Sequence, residues 1–175
     1  YEVRSGCWLA AGLFGAYYEI RLQQAMEEDL LCPFHYFGIS DISVVTDEQM
    51  KARNISEENF GKLTSDERVR HVIEQAKFYG YSGERVIGLI FCSRNRECEE
   101  LSAKFNELGY RTIALSGDNK DKEREKAFER LAMNEEDATD EMQPLDYIFS
   151  VDILNEGVDI VEVNQVIMLR PTQSP

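Results

Sequence analysis

The 175-residue sequence contains no apolar run close to the about 20 residues that a bilayer span requires, so no membrane association is expected. It contains no C-x-x-C pair. Its four cysteines, Cys7, Cys32, Cys92 and Cys98, are scattered, and its two histidines, His35 and His71, lie far apart, which argues against zinc; no metal ligand is assigned. Basic residues are scarce, 19 against 33 acids, for a net charge of −14. That balance excludes a protein that coats nucleic acid by bulk charge, while leaving room for a few local phosphate contacts. No phosphate loop of the form G-x-x-x-x-G-K-[ST] occurs: Gly61-Lys62 has Ser56 where the first glycine belongs, and Leu63 follows. No internal repeat is visible. The chain starts at Tyr1 and stops at Pro175 just after an apolar run, so both ends read as cut.

What is present points to a folded domain. Hydrophobic residues make up 43% and charged residues 30%, a globular composition. The apolar stretch Cys7 to Ala16 matches a signal-peptide core in length, but only Arg4 flanks it, so it reads as a buried strand or helix start. Tyr18, Leu22, Met26 and Leu30 recur every four residues and predict a helix over 17–31, stopped by Pro33. Residues 32–45 read as extended. Overlapping their end, Ile42 to Glu48 imitates a strand ending in an acidic pair and is read as a strand and a solvated turn. Residues 46–63 read as a polar connection with a short helical turn. Thr64 and Glu67 form a capping-box pattern at the start of a helix running to Gly80, with Val69, Val72, Ile73 and Ala76 on one face.

From Val86 the pattern sharpens. Val86 to Cys92 is a continuous apolar run, as in a strand buried on both faces. A helix follows over 96–108, with Cys98, Leu101, Phe105 and Leu108 on one side. Then come a strand at 110–115, a helix at 121–133 facing inward through Ala127, Phe128 and Leu131, an acidic loop at 134–146, a strand at 147–151 and another within 163–169. Alternating strands and helices predict an α/β fold with a parallel sheet sandwiched by helices, preceded by a mixed helical and extended N-terminal segment. Cys92 and Cys98 fall in the strand and on the apolar helix face, where a free thiol behaves as a small hydrophobe; this cysteine usage predicts a reducing, cytoplasmic setting.

In such sheets ligands gather where strands end. The three tips are Ser93-Arg94-Asn95-Arg96, Ser116-Gly117-Asp118 and the loop Asp152 to Asp159. Short polar side chains, a glycine and helix-start N–H groups suit an anion, and Arg94 and Arg96 add positive charge. Taken singly, Ser93 and Ser116 are ordinary helix caps. Taken as tips on one edge, a ligand site and simple capping stand level. Asp152, Glu156 and Asp159 crowd acids around Gly157, a cluster that can cap a helix or bond a ribose hydroxyl; metal binding is the least supported of its uses.

The stretches VIGLIFCSR (86–94), IALSGDNKDKEREKAFERL (113–131) and DYIFSVDILNEGVDIVEVNQVIMLRPTQS (146–174) resemble the second, RecA-like lobe of superfamily-two DEAD/DEAH-type helicases, in particular those related to bacterial restriction-enzyme helicase subunits. They are similar to motif IV, the segment between motifs IV and V, and motif V. LCPFHYFGISD (31–41) also resembles a segment that precedes this lobe. The resemblance implies an N-terminal segment over 1–63 and the lobe over 64–175, truncated before the arginine motif. It implies that ATP with Mg2+ lies between this lobe and a first lobe of the same protein, and that nucleic acid, DNA before RNA, crosses both.

By position, the resemblance places Glu156, Gly157 and Asp159 at the nucleotide, with Asp159 near the ribose, and Ser93, Arg94, Ser116, Gly117, Ser150 and Asp152 at the nucleic-acid backbone. Two departures stand out. Val151 replaces the usual threonine before the motif V aspartate, and Ser150 faces the other side of the strand. With no phosphate loop, no catalytic residue is assigned, no ATP or Mg2+ is expected on this chain alone, and turnover is expected only of the full-length protein. The alternatives are a translocating subunit of a restriction system that does not unwind, and a non-catalytic α/β module whose acidic loop binds a basic partner. A flavodoxin-type nucleotide binder fits poorly, because the Ser93–Arg96 tip has no glycine.

Overall fold

The computed structural model describes residues 7–8, 19–20, 24, 28, 35–39, 55–151 and 160–170. The chain divides into two compact units, Tyr1–Ser40 with Ser174–Pro175, and Asp41–Gln173. In the first, β1 (Cys7–Trp8) pairs antiparallel with β2 (Glu19–Ile20). Glu19 and Ile20 therefore leave the helix that the four-residue spacing predicted; a β-branched residue beside two tyrosines suits a strand. Gln24 accepts from the Glu28 N–H at 2.9 Å, one helical bond within that predicted helix. Residues 35–39 are exposed and belong to no helix or strand. The predicted apolar face of Tyr18, Leu22, Met26 and Leu30 lies outside the described residues, as does the strand-like stretch 42–48.

Among the described residues of the second unit the first element is α1 (Glu57–Leu63), a helix where only a turn was expected. Ser56 caps it by accepting from the Asn59 N–H, acids fill its first turn and Lys62 its last, as the helix dipole favours. Gly61 and Lys62 thus sit in a helix, not a phosphate loop. The Thr64 hydroxyl closes α1 by bonding the Phe60 carbonyl at 3.3 Å, so the cap of α2 (Asp66–Tyr79) passes to Ser65, which accepts from the Arg68 N–H. The predicted Thr64 cap is off by one residue because that hydroxyl is already used. Gly80 ends α2 with φ at +70°, a conformation that favours glycine.

β3 (Gly88–Phe91), α3 (Asn95–Glu107), β4 (Thr112–Leu115), α4 (Asp121–Ala132), β5 (Tyr147–Ser150) and β6 (Gln165–Met168) follow in alternation, and the four strands form one parallel sheet in the order β4-β5-β3-β6. Period-two alternation feeds two cores. Ile90, Cys92, Tyr147 and Phe149 face α2 and α3, packing with Val69, Ile73, Cys98, Leu101 and Phe105. Leu115 and Ile148 face α4, packing with Ala127, Leu131 and Leu145. Cys92 and Cys98 are buried free thiols. The hydrogen bond with Cys98 and then burial push the Cys92 thiol well above its usual range, so it stays protonated and inert. Leu108 departs from the predicted face: it lies past the last turn of α3, before Gly109 at φ +91°, and is 54% exposed.

The edge of the sheet where the strands begin is tied down by polar side chains. Arg85 donates to the carbonyls of Val86, Leu131, Met133 and Leu145 at 2.6–3.2 Å. Asn164 accepts from the Ile87 N–H and donates to the carbonyls of Ser82 and Arg85. Gln165 accepts from the Tyr147 hydroxyl at 2.7 Å and donates to Ala76 and Gly80 at the end of α2. Arg111 bridges Glu135 and Asp146, so the acidic loop is anchored at both ends.

Candidate functional site

Strand register sets the geometry of the opposite edge. Phe91 pairs with Ser150 and with Met168, and Leu115 pairs with Ser150, so all four strands end in one row. The Ser93-Arg94 and Ser116-Gly117 tips therefore follow strand ends that lie in one row, as the alternating pattern predicted for these two tips. Asp152, Glu156, Gly157 and Asp159 lie outside the described residues.

Each tip has its own support. The Ser93 N–H donates to the Glu97 carboxylate at 2.9 Å, while the Ser93 hydroxyl oxygen is buried with no hydrogen-bond partner among the described residues. Arg94, half-buried with extended backbone, is the residue from which α3 starts. Arg96, expected to add positive charge beside it, is ion-paired. Its guanidinium bonds Glu57 through both carboxylate oxygens at 2.8 and 3.1 Å, reaches Glu100, and stacks over the Phe60 ring at 4.0 Å. Its guanidinium is thus engaged by side chains of the fold.

Ser116 heads a tight turn. Its N–H donates to the Asn119 side chain at 2.7 Å, and its hydroxyl oxygen accepts from the Asp118 N–H. Glu123 then accepts from the Asn119 side chain and from the Lys120 N–H at the start of α4, and the Asn119 bond first, then the Lys120 bond, keep its carboxyl below the usual range. Gly117 is exposed, and a Cβ added to it would meet nothing within 4 Å. Its carbonyl accepts from Arg124 at 3.0 Å. Ser150 is 0% exposed, and its hydroxyl has no hydrogen-bond partner among the described residues. Val151 packs on the α2/α3 core, so strand alternation turns Ser150 to the α4 side. Buried polar groups are normally paired, so two orphaned hydroxyls on neighbouring strand ends mark this edge as unusual.

The helicase conserved C-terminal domain family matches residues 62–175. The chain belongs to this family. It is the RecA-like C-terminal lobe of a superfamily-two helicase, and the parallel sheet flanked by helices is that lobe's architecture. The chain is also similar to a Methanocaldococcus jannaschii protein named Probable ATP-dependent RNA helicase, with 22% identity over 122 residues. That stretch covers 68% of this chain and 29% of the relative, so the chain spans less than a third of the relative's length.

Sequence reasoning picked out the tips of the lobe but not their braces. Glu97, Asn119 and Arg124 each hold a tip residue, and the sequence reading gave none of them a role. For Glu97 a signal existed: it lies four residues before Leu101 and eight before Phe105, hence on the buried face of α3. Among the described residues no group of three His, Cys, Asp or Glu side chains is placed to hold a metal, and no helix is long and apolar enough to cross a membrane.

Proposed function

We propose that this lobe is one half of an ATP-dependent nucleic-acid motor, a helicase or translocase, and that its row of strand ends binds the nucleic-acid backbone. The observation that carries the reading is the common register of the Ser93-Arg94, Ser116-Gly117 and Ser150 positions. Ser93 and Ser116 bring hydroxyls, Arg94 a guanidinium and Gly117 an open glycine to this edge, a set that suits a linear polyanion. Ser150 lies buried behind them and Asp152 follows it. Glu156, Gly157 and Asp159 are assigned to the nucleotide on the resemblance to motif V, with Asp159 near the ribose. The lobe extends over 64–175, after a segment of 1–63.

ATP supplies a phosphoanhydride bond whose hydrolysis drives opening and closing of the cleft. On the resemblance, the phosphate-loop lysine and the Mg2+ site belong to the first lobe. Phosphoryl transfer needs both in-line positioning and cationic stabilisation, and this chain on its own is expected not to turn over ATP. Its part is to hold the track on one edge while the nucleotide draws the two lobes together. The buried free thiols Cys92 and Cys98 fit a reducing, cytoplasmic setting.

The deciding experiment is the ATPase rate of the full-length protein with single- and double-stranded DNA and RNA. Stimulation by one of them is expected and names the track: the sequence reading favours DNA, and the archaeal relative is named an RNA helicase. Hydrolysis unaffected by every nucleic acid would overturn the reading. A strand-separation assay then distinguishes a helicase from a translocase. Arg94→Ala is expected to weaken nucleic-acid binding about tenfold at low salt, the worth of one charge-assisted contact. Unchanged affinity would remove Arg94 from the site.

A further inference from the structure

We infer that Glu97, held from behind by Arg68, is the positioning residue that presents the Ser93-Arg94 tip to the nucleic-acid backbone; the inference rests on the function proposed above. Both side chains are buried, Arg68 1% and Glu97 0% exposed. One Glu97 oxygen accepts from the Ser93 N–H at 2.9 Å, and the other accepts from Arg68 at 3.0 Å. The same Arg68 guanidinium donates to the Leu63 carbonyl at the end of α1, at 2.6 Å, and to the Leu169 carbonyl just after β6, at 3.4 Å.

One ion pair thus joins four places that the sequence keeps apart: the end of α1, the start of α2, the tip after β3 and the exit of β6. Two of these are strand ends of the candidate site. A helix cap alone would need neither the arginine nor the depth. Taking two charges out of water is expensive, and a buried pair adds little stability over a well-packed apolar pair. What the pair adds is geometry. A carboxylate presents an acceptor oxygen to each of Ser93 and Arg68; a carboxamide in the same place would turn its NH2, a donor, toward one of these two donors. The Ser93 N–H fixes where the backbone turns, and Arg94 is the next residue. Once this pair is lost, Arg94 keeps its charge but not its place.

The test uses the full-length protein with a fluorescent oligonucleotide of whichever nucleic acid stimulates the wild type. Two variants are made: Glu97→Gln, and the double variant Arg68→Met with Glu97→Leu, which replaces the pair with apolar groups and is expected to stay folded. Both are expected to raise the oligonucleotide Kd about tenfold, with the KM for ATP unchanged within about twofold, and to lower the slope of log K against log salt by about 0.7–0.9, the signature of one lost phosphate contact. A merely structural role would lower the active fraction and leave Kd and salt slope alone. Hydrogen exchange gives a readout that does not depend on binding: in Glu97→Gln the Ser93 amide should exchange at least about tenfold faster while the amides of β3 stay protected.

Folded variants with wild-type Kd and slope, beside an Arg94→Ala protein that binds weakly, would overturn the positioning role and leave the proposed function standing. A wild type that binds no nucleic acid would overturn both.

Discussion

At the edge where the strands begin, polar side chains are spent on the fold. Arg85 covers four carbonyls, Asn164 closes the loop before β3, and Gln165 joins Tyr147 to the end of α2. At the edge where the strands end, Ser93 and Ser150 keep buried hydroxyls without partners among the described residues, and Gly117 stands open. The same sheet therefore has one edge whose hydrogen-bonding capacity is used up and one where part of it is held back. An unpaired buried hydroxyl costs stability, so its place at the edge where parallel sheets bind ligands is what a binding site predicts. Stability and binding are separated along the strand direction.

That separation can be broken most sharply at Arg85. Arg85→Ala strands four carbonyls of two helix and loop ends, and a loss of about 3 kcal/mol in unfolding free energy is expected, with no change in nucleic-acid affinity of the folded protein. Denaturant titration checks it; a loss below about 1 kcal/mol would mean that water replaces the guanidinium. Next is Gly88→Ala. A Cβ there would lie 2.3 Å from the Tyr147 ring, on the paired strand. The overpacking is expected to cost about 1–3 kcal/mol, again without touching the Kd for nucleic acid.

The other edge should respond in the opposite sense. Ser150→Ala removes an orphaned hydroxyl and is expected to raise Tm by about 2–4 °C while weakening nucleic-acid binding. A fall in both would place Ser150 with the structural residues. The smallest effect is acid lability. Glu135, held by Arg111, and Glu123, held by Asn119 and the Lys120 N–H, both sit below the ordinary value of 4.5. A carboxyl whose folded pKa is depressed adds stability above its unfolded pKa and loses it as pH falls through the folded value. Stability is thus expected to be level from neutral pH down to about 5 and to fall below about 4.5. Thermal melts across that range check it, and a fall already at pH 6 would point to another group.

The sheet was legible because its strands are apolar runs set between helical periods, and register then followed for the tips. The errors have physical causes. Thr64 was the better-looking cap until its hydroxyl was spent on α1, and Leu108 kept the helical period one residue beyond the helix. α1 was hidden because a polar seven-residue helix carries few apolar positions; what secures it is the stacking of Arg96 on Phe60 and the Leu63 carbonyl taken by Arg68. Of the site, the tip residues could be read from strand ends. Their braces could not, because Arg68 meets Glu97 across 29 positions and Asn164 meets Ile87 across 77, and no periodicity records such pairings.

The strand order also governs how the sheet can be assembled. β3 is the first strand of the lobe to leave the ribosome, yet both of its neighbours, β5 and β6, come from the far end of the chain. β4 arrives next and cannot pair with it, because β5 must be inserted between them. Until Ser150 has been synthesised, the most apolar strand of the lobe therefore has two open edges and no native partner. Such non-local pairing is slow to form and leaves a template for association with other chains. The nascent chain is most vulnerable to aggregation in the interval between the synthesis of Phe91 and that of Ser150.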